Sequence, residues 1–178
     1  MDVTKILQQC QNPDQNARQA AEKMLVDARD QNLGAFYMAM SGELCNDAKP
    51  KTTRQLAGLM IKNCLDAQDT VLAQQRAEQW LKLDERVRAA VKTGVVQGLA
   101  STLEAARNTC AQVIAKIARI EVPQKAWPEI VDILMSNTTT QGSPSHLVQA
   151  SLSALGYAVV FDIYLTDTLR QTCISLSS

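Results

Sequence analysis

The sequence predicts an all-α protein in which amphipathic helices pair as hairpins and the hairpins stack side by side. Alanine, leucine and glutamine are the most frequent residues, aromatic residues make up only 4%, and glycine and proline number 7 and 5. That mixture favours helices over strands. Apolar residues also recur at three- and four-residue steps, and polar or proline-containing breaks separate these segments.

The first two predicted hairpins occupy residues 3–65. The first helix carries an apolar stripe and ends at Asn12-Pro13, where proline cannot continue the helix but suits the start of the next. Its partner has apolar residues from 17 to 28. The second pair spans residues 33–44 and 56–65, separated by the loop 46–50. A longer connection, Asp66 to Asp84, contains a short helical segment that ends at Trp80 and Leu81.

Two further hairpins follow. Residues 87–99 and 110–117 form the third pair, which Val122-Pro123 closes. The fourth begins at Trp127-Pro128, where proline suits a first helical turn. The polar segment from Ser136 to Ser145 predicts the turn of this hairpin, and the last helix carries apolar residues from 147 to 159.

Small residues occur at similar places in each second helix, which allows neighbouring helices to approach closely. They are Ala21, Gly58, Ala111 and Ala154. Their separations are near the ~40–47 residues of HEAT or armadillo repeats, apart from one lengthened by the 66–84 connection. We therefore predict an α-α superhelix of about four HEAT repeats; an ordinary helical bundle with accidental spacing is the alternative.

Composition and motifs exclude several classes of function. Lys+Arg and Asp+Glu both number 18, so net charge gives no general attraction to nucleic acid. The five cysteines are scattered, which argues against a disulfide framework or a zinc site. The longest near-apolar run is too short to span a bilayer. The single histidine, His146, has no nucleophile motif beside it, and no phosphate-binding glycine loop occurs. We expect no enzyme activity, no metal and no cofactor.

Several distinctive motifs occur in order along residues 1–158. The most specific is Leu56-Ala-Gly-Leu-Met-Ile-Lys-Asn63, which resembles the A-G-L-x-I/L-K-N signature in the N-terminal region of the importin-β family of nuclear transport receptors. The others are Gln79-Trp80-Leu81 followed by Leu83-Asp84, Gln112-x-Ile-x-x-Ile-Ala118 with Glu121-x-Pro123, Trp127-Pro128-Glu129, and Leu155-Gly156-Tyr157.

The resemblance implies a function in protein import. In that family the N-terminal HEAT repeats receive the GTP-bound small GTPase Ran on the surface lined by the second helices. Carried over to this chain, the motif positions Lys62, Asn63 and Gln112 are the candidate Ran-binding residues, with Gln55 and Lys116 as neighbours on the same stripes. The alternative, that these polar residues bridge or cap adjacent helices, stays open.

The resemblance also sets expectations for the rest of the protein. Family sites for the importin-α adaptor, cargo and phenylalanine-glycine nucleoporins lie mostly in later repeats, and the family works in the cytoplasm, the nucleus and the nuclear pore. Residues 159–178 depart from the family pattern. We expect an atypical tail, helical or partly disordered, that prolongs the fourth repeat, caps its open end or comes from a truncated or misjoined gene. A HEAT scaffold in another assembly, such as a phosphatase or trafficking complex, is the alternative function.

Overall fold

The computed structural model describes residues 2–161, with side chains up to residue 158. Within that range the chain contains nine α-helices and no strand. The helices are α1 (Val3–Gln9), α2 (Gln15–Gln31), α3 (Leu33–Cys45), α4 (Lys51–Leu65), α5 (Thr70–Leu81), α6 (Glu85–Gln97), α7 (Glu104–Glu121), α8 (Ile130–Thr139) and α9 (Ser145–Phe161). A short 3-10 turn, Gly98–Ala100, follows α6. The predicted all-α fold is confirmed.

Local side chains explain where many helices begin. Five helices start after an Asp or Asn whose carboxylate or amide oxygen accepts a hydrogen bond from a backbone N–H of the first turn. These residues are Asp2, Asp14, Asn32, Asp69 and Asp84. Helix α4 instead begins directly after a proline, Pro50. Each cap satisfies a donor that the helix itself leaves without a partner.

Consecutive helices pair and then stack in two layers. Helix α3 packs on α4, α6 on α7, and α8 on α9, while α4, α7 and α9 form a layer of second helices and α3 packs on α6. Short connections between packed neighbours make each pair an antiparallel hairpin. The stacking confirms the predicted helical solenoid.

Contacts between α4 and α7 show that these second helices run in the same direction. Gly58 faces Thr109, Lys62 bonds to Gln112, and Asp66 pairs with Lys116. The separation along the chain stays at 50 or 51 residues as both helices advance, which only parallel helices in fixed register allow. A stacked repeat produces this relation, because each repeat presents its second helix in the same orientation.

The first hairpin departs from that regularity. Its short first helix, α1, is a neighbour of α4, whereas its second helix, α2, packs mainly on α1 and α3. The second-helix layer is therefore formed by α4, α7 and α9 rather than by all four repeats. A cavity lined by polar side chains, among them Arg29 of α2 and Asn63 of α4, lies between these two helices.

One predicted boundary is wrong. The sequence predicts a turn from Ser136 to Ser145, but α8 continues to Thr139 and α9 begins at Ser145. Hydroxyl groups of three threonines bond to carbonyl oxygens three or four residues earlier, which holds this polar stretch in the helix. The predicted tail lies largely outside the described residues, since the backbone is described only to the end of α9 at Phe161.

Three predicted packing features are confirmed. The small residues proposed to let helices approach, Ala21, Gly58, Ala111 and Ala154, are all buried. Trp80 is fully buried and Trp127 is nearly so, as expected of aromatic side chains that fill space between helices. A Cβ atom at Gly58 would overlap Thr109 Cγ2 and lie 3.3 Å from Leu44 Cδ1, so α4 and α7 pack closely at a point where a larger residue needs a shift.

We expect Gly58→Ala to lower the free energy of unfolding by about 1–3 kcal/mol, because the added methyl group forces α4 and α7 apart. Thr109 is β-branched and its hydroxyl bonds to Ala105 O at 2.8 Å, so it cannot easily rotate away. Urea unfolding followed by circular dichroism measures the change.

The matched control is Gly42→Ala in α3, where an added Cβ meets no atom within 4 Å. There the substitution should leave stability unchanged or raise it by up to about 1 kcal/mol, because alanine is the better helix former. Equal effects at the two glycines would contradict the proposed close packing.

Candidate functional site

The candidate residues on α4 are exposed to different degrees because the opposite face of the helix is buried. Ala57, Gly58 and Ile61 pack into the core. With 3.6 residues per turn, this arrangement directs Gln55 and Lys62 away from the core along one stripe. Gln55 is exposed and Lys62 is partly buried.

Two polar links join α4 to α7 along this surface. Lys62 Nζ donates a hydrogen bond to Gln112 Oε1. One helical turn further along, Lys116 Nζ pairs with Asp66 Oδ2, and Arg119 Nη1 lies 3.9 Å from the same oxygen. Three predicted site residues, Lys62, Gln112 and Lys116, are therefore brought together, and they bridge the two helices as well as facing solvent.

Asp66, just after α4, is the acidic group in these links between α4 and α7. Its partial burial acts to raise its pKa, but the hydrogen bond and charge of Lys116, the Ala67 N–H and the charge of Arg119 outweigh burial and lower the pKa below the usual 3.8. Asp66 therefore stays ionised at neutral pH and holds Lys116 beside α4. Its backbone oxygen also accepts a hydrogen bond from Arg76 of α5.

A groove of about 730 Å³ opens beside these links, between α4, α7 and α9. Its lining residues are Lys62, Gln112, Ala115, Lys116, Ser153, Gly156 and Tyr157. Two ammonium groups and an amide thus line the groove together with small residues and one aromatic ring. Such a surface suits a protein partner that offers acidic and apolar groups together.

Asn63 faces a different cavity. It lines a space of about 570 Å³ between α2, α4 and α5, together with Arg29, Asp30, Leu33, Cys64, Leu72, Gln75, Arg76, Gln79, Lys82 and Leu83. Three of these side chains are cationic and one is acidic, and the acidic one, Asp30, pairs with Arg29 at 2.7 Å. Gln55 lines neither cavity.

Gln75 and Arg76 of α5 line this cavity and are functional candidates that the sequence patterns above do not single out, and Gln79 appears there only as part of a family-like motif. Those patterns predict α5 only as a short helical piece of a connection, without a face of its own. The spacing of Gln75, Arg76 and Gln79 by three and four residues, in register with Leu72, is the signal that identifies such a face.

The described residues offer no group of three His, Cys, Asp or Glu side chains arranged to hold a metal ion. In the same part of the chain no helix combines the length and the apolar character needed to cross a bilayer. The groove between α4, α7 and α9 presents charged, hydrogen-bonding and apolar groups at one surface.

Comparison with known proteins identifies relatives over most of the chain, although no family model matches it. Importin subunit beta-1 of Arabidopsis thaliana is 40% identical over 157 residues, and that of Schizosaccharomyces pombe is 32% identical over 157 residues. Each alignment covers 88% of this chain and 18% of the relative. The chain thus spans about a fifth of the length of the curated relatives it matches.

Solved structures of the same kind of protein have the same fold. Kap95p aligns with this chain with a TM-score of 0.85 at 34% identity. The Kap95p structure in question is reported to show that Kap95p binding induces the switch loops of RanGDP to adopt the GTP-bound conformation. The alignment covers 88% of this chain and 18% of that one. A Kap95:Nup1 complex aligns with a TM-score of 0.81 at 34% identity, covering 89% and 19%.

Asp66→Asn should lower the free energy of unfolding at pH 7 by about 1 kcal/mol, the usual scale for a partly exposed ion pair. Because the folded-state pKa of Asp66 lies below 3.8, its ionised form stabilises the fold above that pH, and the stabilisation is lost as pH falls through the folded pKa. The stability difference between the native chain and the variant should therefore be constant near neutral pH and shrink in acid.

Urea unfolding at a series of pH values measures this difference. Lys116→Gln is the second variant. Removal of this cation should reduce the contribution of ionised Asp66 to the free energy of unfolding, which is the contribution that acid removes. A difference between the native chain and Asp66→Asn that stays the same from neutral pH to below pH 3.8 would contradict the assigned role of Asp66.

Proposed function

The chain belongs to the importin-β family, and from that membership we propose that it is a nuclear transport receptor segment that binds the GTP-bound form of the small GTPase Ran. The groove between α4, α7 and α9 is the observation that supports this proposal most strongly. It gathers Lys62, Gln112 and Lys116 on the layer of second helices, and a stacked-helix protein uses such a layer to hold partners.

The groove offers charged, amide and apolar groups that support its proposed contact with a switch region of Ran. The ammonium group of Lys62 has three N–H donors, and one of them bonds to Gln112 Oε1. The remaining donors suit an acidic side chain or backbone carbonyls of the partner. The ring of Tyr157, which is 38% exposed, offers an apolar contact in the same groove.

The polar cavity between α2, α4 and α5 extends the proposed surface. Asn63 contributes an amide there, and Arg29, Arg76 and Lys82 contribute positive charge. An acidic segment of Ran that reaches past α4 would meet these groups. Both cavities adjoin α4, so a single partner that straddles this helix contacts Lys62 on one side and Asn63 on the other.

A whole receptor has further partners, which this chain alone contacts only in part. A solved relative is a Kap95:Nup1 complex, and we propose that receptors containing this segment pass between cytoplasm and nucleus with importin-α, cargo and nucleoporins. The segment spans about a fifth of its relatives. We therefore expect it to supply only part of the Ran interface and to bind more weakly than a complete receptor.

We expect the chain to capture GTP-loaded Ran more strongly than GDP-loaded Ran. Kap95p is reported to induce the switch loops of RanGDP to adopt the GTP-bound conformation, so binding of the GDP form must include a rearrangement whose free energy reduces affinity. Biolayer interferometry with Ran loaded with either nucleotide measures both Kd values. Equal Kd values would remove the nucleotide-dependent part of the proposal, and absence of binding to either form would favour a scaffold role.

Lys62→Glu should raise the Kd for GTP-loaded Ran at least about tenfold, because it replaces the proposed contact with a repelling charge. The helix–helix core should stay intact, since Lys62 lies on the partly exposed stripe of α4. The same interferometry measures binding, and thermal unfolding shows whether the variant is folded.

Lys51→Glu is the matched control. Lys51 is an exposed lysine at the first position of the same helix and lines neither cavity, so the substitution makes the same change in net charge away from the proposed contact. Equal losses of affinity in the two variants would mean that total charge, rather than contact at Lys62, controls binding.

A further inference from the structure

Two cysteines from different hairpins lie side by side, away from the groove between α4, α7 and α9. Cys45 is the last residue of α3, and Cys110 lies in α7. Gly98, just after α6, faces both: a Cβ atom there would overlap Cys110 Sγ and lie 3.3 Å from Cys45 Sγ. Both sulfurs therefore border one space that exists only because residue 98 has no side chain.

The two thiols differ in their access to solvent. Cys110 is 0% exposed. Cys45 is only partly buried and lines a cavity of about 300 Å³ between α3 and α6, whose other lining residues include Ser41, Gly42 and Gly94. A small oxidant that enters this cavity can thus meet Cys45, whereas Cys110 does not line it and has no exposed surface.

Charges and hydrogen bonds around the pair favour ionisation of the accessible thiol. The Cys110 thiol, followed by Ser41 and the positive charge of Arg54, lowers the pKa of Cys45 against the opposing effects of burial and Asp47. Arg54 is held in place because its Nε donates to Leu44 O at 2.8 Å, in the residue next to Cys45. The bond to Cys45 and burial raise the pKa of Cys110, so Cys110 remains a protonated donor.

We propose that Cys45 and Cys110 form an oxidation site for hydroperoxides, in which Cys45 reacts first and Cys110 resolves the product as an intramolecular disulfide. The Cys45 thiolate attacks one peroxide oxygen, the O–O bond breaks, and the other oxygen leaves with a proton as water or an alcohol. The Cys110 sulfur then displaces hydroxide from the Cys45 sulfenic acid, and its proton completes a water molecule. Two thiols are oxidised, and one peroxide is reduced.

The disulfide would join α3 to α7 and so tie the second hairpin to the third. The two residues are far apart in the chain, and closing this long loop restricts the unfolded state. The oxidised protein should therefore resist unfolding more than the reduced protein. The inference is independent of Ran binding, because neither thiol lines the groove or the polar cavity.

In the test, the 178-residue chain is treated with limiting amounts of hydrogen peroxide. It carries Cys173→Ser, which removes the one thiol outside the described residues. After the remaining thiols are blocked with N-ethylmaleimide, peptide mass spectrometry identifies the products. We expect a Cys45–Cys110 disulfide that is lost with dithiothreitol, and oxidation of Cys45 at least about tenfold faster than that of Cys64, whose pKa is raised by burial.

Two variants separate the proposed roles. Cys110→Ala should leave a sulfenic acid on Cys45 that dimedone traps, and Cys45→Ser should leave Cys110 reduced under the same treatment. Cys10→Ser is the matched control and should form the disulfide normally. Oxidation of Cys64 or Cys10 ahead of Cys45, or a disulfide only between separate chains, would overturn the proposal. Both outcomes are read from the chain in which Cys45 and Cys110 are intact, so the test holds even if a variant fails to fold.

Discussion

The close approach of α4 and α7 at Gly58 is the constraint on which the candidate site depends. The missing side chain lets Thr109 occupy the space beside α4, and this contact sets the distance and register of the two helices for the next two turns. Lys62 then meets Gln112, and Asp66 meets Lys116. The groove toward α9 has its shape because these pairs keep the helices together at its edge.

Buried ionic groups fix the hairpins relative to each other. Glu121, 0% exposed, accepts hydrogen bonds from Trp80 Nε1 at 2.9 Å, Arg88 Nη1 at 2.9 Å and Lys92 Nζ at 2.6 Å, and thereby joins α5, α6 and α7. Burial of such charges is costly, and loss of one partner leaves the others without compensation at a cost of about 3–5 kcal/mol. Arg54 plays the corresponding part between α3, α4 and the segment before α7. These links therefore penalise any other register of the stack.

The helices and their stacking are predictable from the sequence because both depend on local patterns. Apolar spacing, Asp or Asn caps and proline positions act within a few residues. The buried pairings are not predictable in this way. Glu121 and Trp80 are 41 residues apart, and no local pattern in either segment identifies the other residue as its partner. The turn predicted over Ser136–Ser145 is wrong for a related reason: threonine and serine favour turns, but their hydroxyls can also bond within a helix, and packing decides between these outcomes.

The α4 motif shows why a short motif does not define one site. Successive residues on a helix point about 100° apart, so neighbours in sequence face different surroundings. Ala57, Gly58 and Ile61 pack into the core beside α7, Lys62 lines the groove, and Asn63 lines the cavity toward α5. A partner that contacts both polar residues must cover the exposed ridge of α4 between the two cavities. Substitution of either residue alone therefore removes contact on only one side of that ridge, and the core positions of the same motif act on both sides by holding α4 in place.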